Sequence, residues 1–217
     1  MYLDLTHPFT ATMPAFPGEP APELKQITAL ERDGSVNYEL RTGLHIGTHL
    51  DAPLHFIKNG KRISDFPPEK FIGRGVVIDA LATTTPSPRG RGTEGEGLLE
   101  LTLPDIIHAN DIVLVCTGWS KKFRDADYYK NYPVLSEQFS QNLIDAKVKI
   151  IGLDTPSPDH APYHIHKILL SRDILIIENL TNLEALLDCQ NFEIIAWPLR
   201  LEAEASPVRV IAKLFTQ

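Results

Sequence analysis

The 217-residue sequence is poor in cysteine, in basic residues and in long apolar runs, and each shortage excludes a class of protein. Two cysteines, Cys116 and Cys189, are too few for a disulfide framework and suit a reducing compartment, although a single bridge stays open. Lysine and arginine number 21 against 28 acidic residues, so no cationic face for nucleic acid or anionic lipid is expected. No apolar run approaches the roughly 18 residues of a spanning helix, and the first residues lack the regions of a secretory signal. We therefore expect a cytoplasmic protein.

The length and the apolar pattern favour one α/β domain over residues 1–217. Short β-branched runs predict buried strands at 76–79, 112–116, 150–153, 174–177, 194–197 and 208–212. A helix is predicted over 136–146, with Ser136 as its N-cap. The Thr-, Pro- and Gly-rich segment at about 83–97 has little to bury, which predicts a flexible surface loop, with an interdomain linker as the alternative.

Six of the 8 histidines fall in two short windows, and metal binding is the first explanation for such clustering. The first window holds His45, His49, Asp51 and His55. Gly47 permits a sharp turn that lets His45 and His49 converge, and His49 and Asp51 point to one side of an extended strand. Two imidazoles and one carboxylate provide three ligands of an open zinc-type site. The alternative is a set of exposed or hydrogen-bonded histidines that bind no metal.

The second window holds His160, His164 and His166, and spacing alone does not choose among them. An apolar run follows and ends at Glu178, which needs a cation to stay ionised if it is buried. Glu178 is otherwise the first solvated residue beyond a strand. Prolines flank His7, His55 and His164, which predicts that these three histidines lie on structured loops rather than inside helices.

The motif His-x-Gly-Thr-His-x-Asp-x-Pro-x-His-Phe at 45–56 resembles the signature of the cyclase-like metal-dependent hydrolases. This group includes bacterial kynurenine formamidase and isatin hydrolase. The resemblance extends to segments at 4–6, 16–18, 117–119, 166–170, 178–180 and 206–209. It implies a mixed, barrel-like β-sheet with flanking helices, of the swivelling β/β/α type, and a homodimer or higher homo-oligomer.

The resemblance also implies roles for the candidate residues. The implied metal ligands are His45, His49, Asp51, His166 and Glu178. Asp51 would be able to bridge two ions, and the metal would be zinc or, as the alternative, manganese, with one or two ions bound. His55 would be the catalytic acid or base, which leaves a competing assignment in which His55 is a ligand and His160 or His164 carries the proton.

The implied activity is hydrolysis of a small-molecule amide by metal-activated water, with N-formylkynurenine, giving kynurenine and formate, as the best-supported substrate. A bound divalent ion supplies the nucleophile at neutral pH, and an imidazole protonates the leaving nitrogen. Phe16 stands where kynurenine formamidases tend to carry a substrate-stacking tryptophan, so we expect it to contact an aromatic substrate. Glu178 replaces the glutamine of isatin hydrolase, which favours the formamidase branch. The alternatives are hydrolysis of another small cyclic amide, a non-catalytic metal-dependent binding protein, and a closed structural metal site.

Overall fold

The computed structural model describes residues 1–81 and 97–215, and the loop predicted at 83–97 lies outside these residues except for its last position. The strands are β1 (Tyr2–Asp4), β2 (Glu23–Thr28), β3 (Asn37–Arg41), β4 (His49–Asp51), β5 (Ile72–Asp79), β6 (Leu98–Leu99), β7 (Ile112–Cys116), β8 (Val134–Leu135), β9 (Ile150–Leu153), β10 (Leu175–Glu178), β11 (Phe192–Ile195), β12 (Ala205–Pro207) and β13 (Ile211–Leu214). The α-helices are α1 (Leu30–Asp33), α2 (Glu137–Asp145) and α3 (His164–Leu170). Short 3-10 helices lie at Pro53–His55, Ile63–Asp65, Pro68–Phe71, Trp119–Lys122 and Leu183–Leu186.

Nine strands form one mixed sheet in the order β1-β13-β11-β5-β7-β9-β10-β4-β12. The four central strands β5, β7, β9 and β10 are parallel, and the strands on both sides of them run antiparallel to their neighbours. The sheet curls until its ends approach each other, since only residues 208–210 separate β12 at one end from β13 near the other, and the Thr181 amide beyond β10 donates to the Leu5 carbonyl beyond β1 at 3.0 Å. The expected α/β class with a mixed, barrel-like sheet is confirmed.

The central strands were predicted closely because both of their faces are covered. In β7, Ile112 and Leu114 pack into the apolar cluster on one face of the sheet, while Val113 and Val115 pack into the cluster on the other face. The second cluster includes Phe139 of α2. A strand that is buried on both faces requires an unbroken apolar run, which is what the sequence shows at 112–116 and 150–153.

The predicted elements differ from the observed ones mainly near the ends of the sheet. The run predicted at 208–212 becomes a strand only from Ile211, because Val208 and Val210 lie in the short connection by which the chain crosses from β12 to β13. Val208 still bonds to Thr48 beside β4, and Val210 still bonds to Leu5 beside β1. The helix predicted over 136–146 is confirmed as α2, and its Ser136 hydroxyl accepts a hydrogen bond from the Phe139 amide at 3.2 Å.

Two expectations from the composition concern the cysteines and the absence of a membrane-spanning helix. Cys116 and Cys189 are both free thiols, so the single bridge that the sequence left open is not formed. Within residues 1–81 and 97–215, no helix has both the length and the apolar character needed to cross a membrane.

Candidate metal centre

Strands β4 and β10 carry three of the candidate ligands on one face. His49 and Asp51 are two residues apart on β4 and therefore project to the same side, and Glu178 on β10 stands directly opposite His49. The His49 Nε2 atom lies 3.2 Å from Glu178 Oε2 and 3.6 Å from Asp51 Oδ1. All three side chains are buried, although each is polar or charged.

The turn before β4 brings His45 to the same cluster. Gly47 has a φ of 65°, and a Cβ at this position would stand 2.4 Å from Met13 Cε, so both the backbone conformation and the close approach of Met13 favour glycine in this turn. As a result, the His45 and His49 rings come within 5.1 Å of each other, and His45 Nδ1 lies 3.0 Å from Asp51 Oδ1. The sharp turn predicted at Gly47 is therefore present.

Helix α3 supplies the third imidazole of the cluster. His166 Nε2 lies 3.2 Å from Glu178 Oε1 and 3.8 Å from Asp51 Oδ2. The prediction that His164 lies on a loop is wrong, because α3 begins at this residue. Pro162 precedes the helix, where a proline does not disturb helical hydrogen bonding.

The other two histidines of the second window lie apart from the cluster. His164 is exposed, with its Nε2 atom 3.4 Å from Glu137 Oε1. His160 is exposed and packs against Tyr132, with the ring centroids 4.3 Å apart. Neither residue lines the cavity that opens above the cluster.

His55 lies beside the cluster on the 3-10 helix that begins at Pro53. Its ring stacks on His45 with a centroid distance of 4.2 Å, and burial lowers the pKa of His55 to about 4. One nitrogen of His55 lies within 4.8 Å of donor atoms of His45 and Asp51. This position is compatible with a proton carrier and with a further metal ligand.

Two imidazoles are oriented by different partners behind them. His166 Nδ1 donates to the buried carboxylate of Asp159 at 2.6 Å, and the other oxygen of Asp159 accepts the backbone amide of Ile165 at 2.6 Å. His49 Nδ1 donates to the Gly47 carbonyl at 2.8 Å. Because each Nδ1 carries the proton, each Nε2 presents its lone pair to the cluster, as a metal-binding imidazole does.

The Gly47 carbonyl is in turn held by a buried hydrogen-bond chain. The Asn179 side-chain amide donates to this carbonyl at 3.0 Å, and the Tyr128 hydroxyl donates to Asn179 Oδ1 at 2.8 Å. The Thr48 hydroxyl donates to the Asn179 backbone carbonyl at 2.6 Å. Through the Gly47 carbonyl, this hydrogen-bond chain fixes the orientation of the His49 ring. Its central residue, Asn179, directly follows Glu178 in the sequence.

The donor atoms of the cluster fit a divalent cation. Within the described residues, His49 Nε2, both carboxylate oxygens of Asp51 and Glu178 Oε1 are buried and have no hydrogen bond of acceptable geometry. An imidazole lone pair that faces a buried carboxylate oxygen is unfavourable unless a cation lies between them or the imidazole is protonated. Two groups of potential ligands share Asp51: His49 with Glu178, and His45 with His55.

The pKa shifts of the cluster residues, in the absence of a cation, also indicate that the site needs positive charge. Burial disfavours the charged imidazoles, but the neighbouring carboxylates raise the pKa of His49 to about 9 and that of His166 to about 10. Burial also opposes ionisation of Asp51, yet the imidazoles of His49 and His45 hold the pKa of Asp51 below its usual range. The buried carboxylates are therefore ionised and draw positive charge into the site, which is the role of a bound metal.

A cavity with aromatic walls opens above the cluster. Its aromatic lining consists of Phe16, Phe56, Tyr129 and Tyr163. Phe16, expected to contact substrate, lies on this wall and meets Tyr129 edge-on at a centroid distance of 5.4 Å. Flat apolar walls with a few convergent polar groups are typical of a site for a small aromatic ligand.

Sequence reasoning did not identify three groups at this site. Glu19 and Tyr129 line the cavity, and Asp159 orients His166. Asp159 lies in a segment rich in aspartate and proline at 154–159, which by itself is typical of an ordinary turn. The contact between Phe16 and Tyr129 joins segments more than a hundred residues apart, which no local pattern reports.

A curled mixed sheet with a buried histidine–carboxylate cluster at one end defines an α/β protein with a candidate divalent-metal centre. The family model described as putative cyclase matches residues 3–160, and the chain belongs to the Cyclase family. The chain is 34% identical over 224 residues to a kynurenine formamidase of Bordetella petrii, covering 97% of this chain and 96% of the relative. The resemblance inferred from the motif at 45–56 is thus confirmed.

Solved structures agree with this placement. The fold matches isatin hydrolase A from Ralstonia solanacearum with a TM-score of 0.82 and 25% identity, covering 98% of this chain and 91% of that chain. It matches isatin hydrolase A from Labrenzia aggregata, solved with benzyl benzoate bound, with a TM-score of 0.83 and 26% identity, covering 100% of this chain and 94% of that chain.

Proposed function

We propose that the protein is a metal-dependent amide hydrolase that converts N-formylkynurenine to kynurenine and formate. The observation that carries the proposal is the set of buried, unpaired donor atoms on His49, Asp51 and Glu178 below an aromatic-lined cavity. The 34% identity to a kynurenine formamidase over nearly the full length supports the choice of substrate.

The proposed ligands are those that the family resemblance implies: His45, His49, Asp51, His166 and Glu178. Zinc is the proposed metal and manganese the alternative, because imidazole and carboxylate ligands accept both. Asp51 belongs to both potential ligand groups, which supports a site for one or two ions. A bound ion lowers the pKa of a water molecule to about 7 and polarises the amide carbonyl.

His55 is the proposed catalytic acid and base. A ring nitrogen of His55 takes up the proton released when water adds to the carbonyl and returns it to the aniline nitrogen, which leaves readily only after protonation. The position of His55 on the cavity wall, on a short helix started by Pro53, supports this role. The exposed positions of His160 and His164 disfavour the competing assignment.

Phe16 is the proposed contact for the aryl ring of the substrate. Its ring and that of Tyr129 meet edge-on beside the cavity, so an aromatic ring that enters can stack on one and meet the edge of the other. With the aryl ring held against Phe16 and Tyr129, the formyl group of the substrate would remain free to reach the buried histidine–carboxylate cluster.

Hydrolysis of a small cyclic aryl amide is the second candidate. The match of the whole chain to two isatin hydrolases, with TM-scores of 0.82 and 0.83, favours it. Turnover of isatin in preference to N-formylkynurenine would replace the first proposal by this one.

We further propose that residues 1–217 work as one domain in a cytoplasmic homodimer, as the resemblance and the composition led us to expect. The two free thiols suit a reducing compartment.

The test is the hydrolysis of N-formylkynurenine by metal-stripped protein, before and after zinc or manganese is returned. We expect turnover only with metal, and a loss of about 100-fold or more in His55→Ala, the range for general acid–base catalysis. His164→Ala is the matched control and should keep full activity. Metal-restored turnover that survives in His55→Ala, or that is lost in His164→Ala, would contradict the proposed roles of these two histidines.

A further inference from the structure

A rigid turn places a carboxylate at the cavity beside the aromatic wall. The Glu19 amide donates to the Phe16 carbonyl at 2.9 Å, and Gly18 has a φ of 96°, in the left-handed region that favours glycine. Pro17 lies inside the turn and Pro20 directly follows it, and both restrict the backbone further. The turn thus holds Phe16 and Glu19 together, and both side chains line the cavity.

The Glu19 carboxylate has no cationic partner among residues 1–81 and 97–215. Across the described residues, no lysine, arginine or histidine nitrogen lies within 4.0 Å of its oxygens. Its Oε2 atom stands 3.7 Å from the position that a Cβ on Gly43 would take, two residues before His45. Glu19 also helps to raise the pKa of Tyr129, after burial and Glu178, which shows that its charge acts on this wall.

Beside the aromatic wall, the cavity lining offers negative charge to the outer part of a ligand. No lysine or arginine of the described chain lines the cavity, so an anionic group near Glu19 would meet repulsion without compensation, and the carboxylate of a zwitterionic amino-acid ligand would have to point away from Glu19, towards solvent. The rings of Phe16 and Tyr129 next to a carboxylate suit an ammonium group, which gains a charge pair and cation–π contacts together.

We propose that Glu19, with the rings of Phe16 and Tyr129, forms a specificity subsite for an ammonium group on the end of the substrate opposite the scissile amide. The inference rests on the proposed function and narrows its substrate class to aryl formamides that carry an amino-acid ammonium. Uncharged cyclic amides gain nothing from this subsite.

The test compares two substrates that differ only in the ammonium group. These are N-formylkynurenine and its desamino analogue, 4-(2-formamidophenyl)-4-oxobutanoate, each with the metal-loaded enzyme. In Glu19→Gln we expect the KM for N-formylkynurenine to rise roughly fivefold, the range for a partly exposed charge pair, with kcat unchanged. The KM for the analogue should stay constant or fall. Glu31→Gln, on the exposed helix α1, removes the same charge elsewhere and should alter neither KM.

A binding measurement makes the inference independent of turnover. Calorimetry with metal-loaded protein compares kynurenine, the product of the proposed reaction, with its desamino analogue, and we expect roughly fivefold tighter binding of kynurenine in the wild type and equal binding in Glu19→Gln. Equal binding of the two ligands by the wild type, or an equal KM change for both substrates in Glu19→Gln, would overturn the subsite. Absence of hydrolysis with either substrate, while the wild type still prefers kynurenine, would overturn the proposed reaction and support the subsite.

Discussion

Removal of the metal should lower the stability of this protein by a measurable amount, because His49, Asp51 and Glu178 present buried atoms that no protein group satisfies. A metal that binds only the folded state stabilises it by RT ln(1 + [M]/Kd), about 2.7 kcal/mol at a free metal concentration of about 100 times Kd. A domain of about 200 residues gains roughly 2–4 °C in Tm for each 1 kcal/mol. We therefore expect Tm to rise by about 5–11 °C when metal is added to stripped protein.

The assay is differential scanning calorimetry of the stripped protein with increasing zinc or manganese. Glu178→Gln should lose most of the rise, since it removes one charged ligand from the buried group. His160→Gln is the matched control: its side chain is exposed and packs on Tyr132 outside the cavity, so the full rise should persist. The reasoning is refuted if Tm does not respond to metal, or if Glu178→Gln keeps the full response.

Three further predictions concern the groups around the site. Asp159→Asn removes the carboxylate that orients His166 and should weaken metal binding about 10–100-fold, measured by chelator competition. Burial raises the pKa of Asp154 to about 6 from an ordinary value of 3.8, so the folded state holds this proton more tightly than the unfolded chain does. The contribution of Asp154 to stability is therefore fully present below pH 3.8 and is lost as pH rises through about 6; urea unfolding should show this loss in the wild type and its absence in Asp154→Asn. Gly47 and Gly34 both have positive φ, but a Cβ on Gly47 meets another side chain at 2.4 Å and a Cβ on Gly34 meets nothing, so Gly47→Ala should lower Tm more than Gly34→Ala.

Each of these predictions has a clear contrary result. Unchanged chelator competition in Asp159→Asn would remove its orienting role. A parallel pH dependence of wild type and Asp154→Asn would show that this carboxyl group does not set the slope. Equal Tm losses for the two glycine variants would mean that the space beside Gly47 is less restricted than its neighbours indicate.

The sequence predicted best what local pattern determines. Continuous apolar runs identified β7 and β9 with the correct bounds, because strands covered on both faces need apolar side chains at every position. The spacing around Gly47 predicted the convergence of His45 and His49, since a single turn brings them together. The helix α2 followed from its N-cap Ser136 and its apolar face.

Long-range packing determines what the sequence did not show. The three-residue strand β4 is too short to produce a periodic signal, and its pairing with β10 is what sets His49 opposite Glu178. Helix α3 was missed because nearby prolines were taken to exclude a helix, although Pro162 lies before its start. Glu19 reaches the cavity because of the turn at 16–19. The side chains around that turn, such as Tyr129, come from distant parts of the chain.

The central claim is that the histidine–carboxylate cluster holds a catalytic metal ion, and anomalous X-ray diffraction at the zinc or manganese absorption edge tests it most directly. Crystals of active, metal-loaded protein should show an anomalous peak at bonding distance, about 2.0–2.2 Å for zinc, from the Asp51 carboxylate and from His49 Nε2. Fully active crystals with no anomalous peak at this cluster, or with peaks only at other places, would contradict the account.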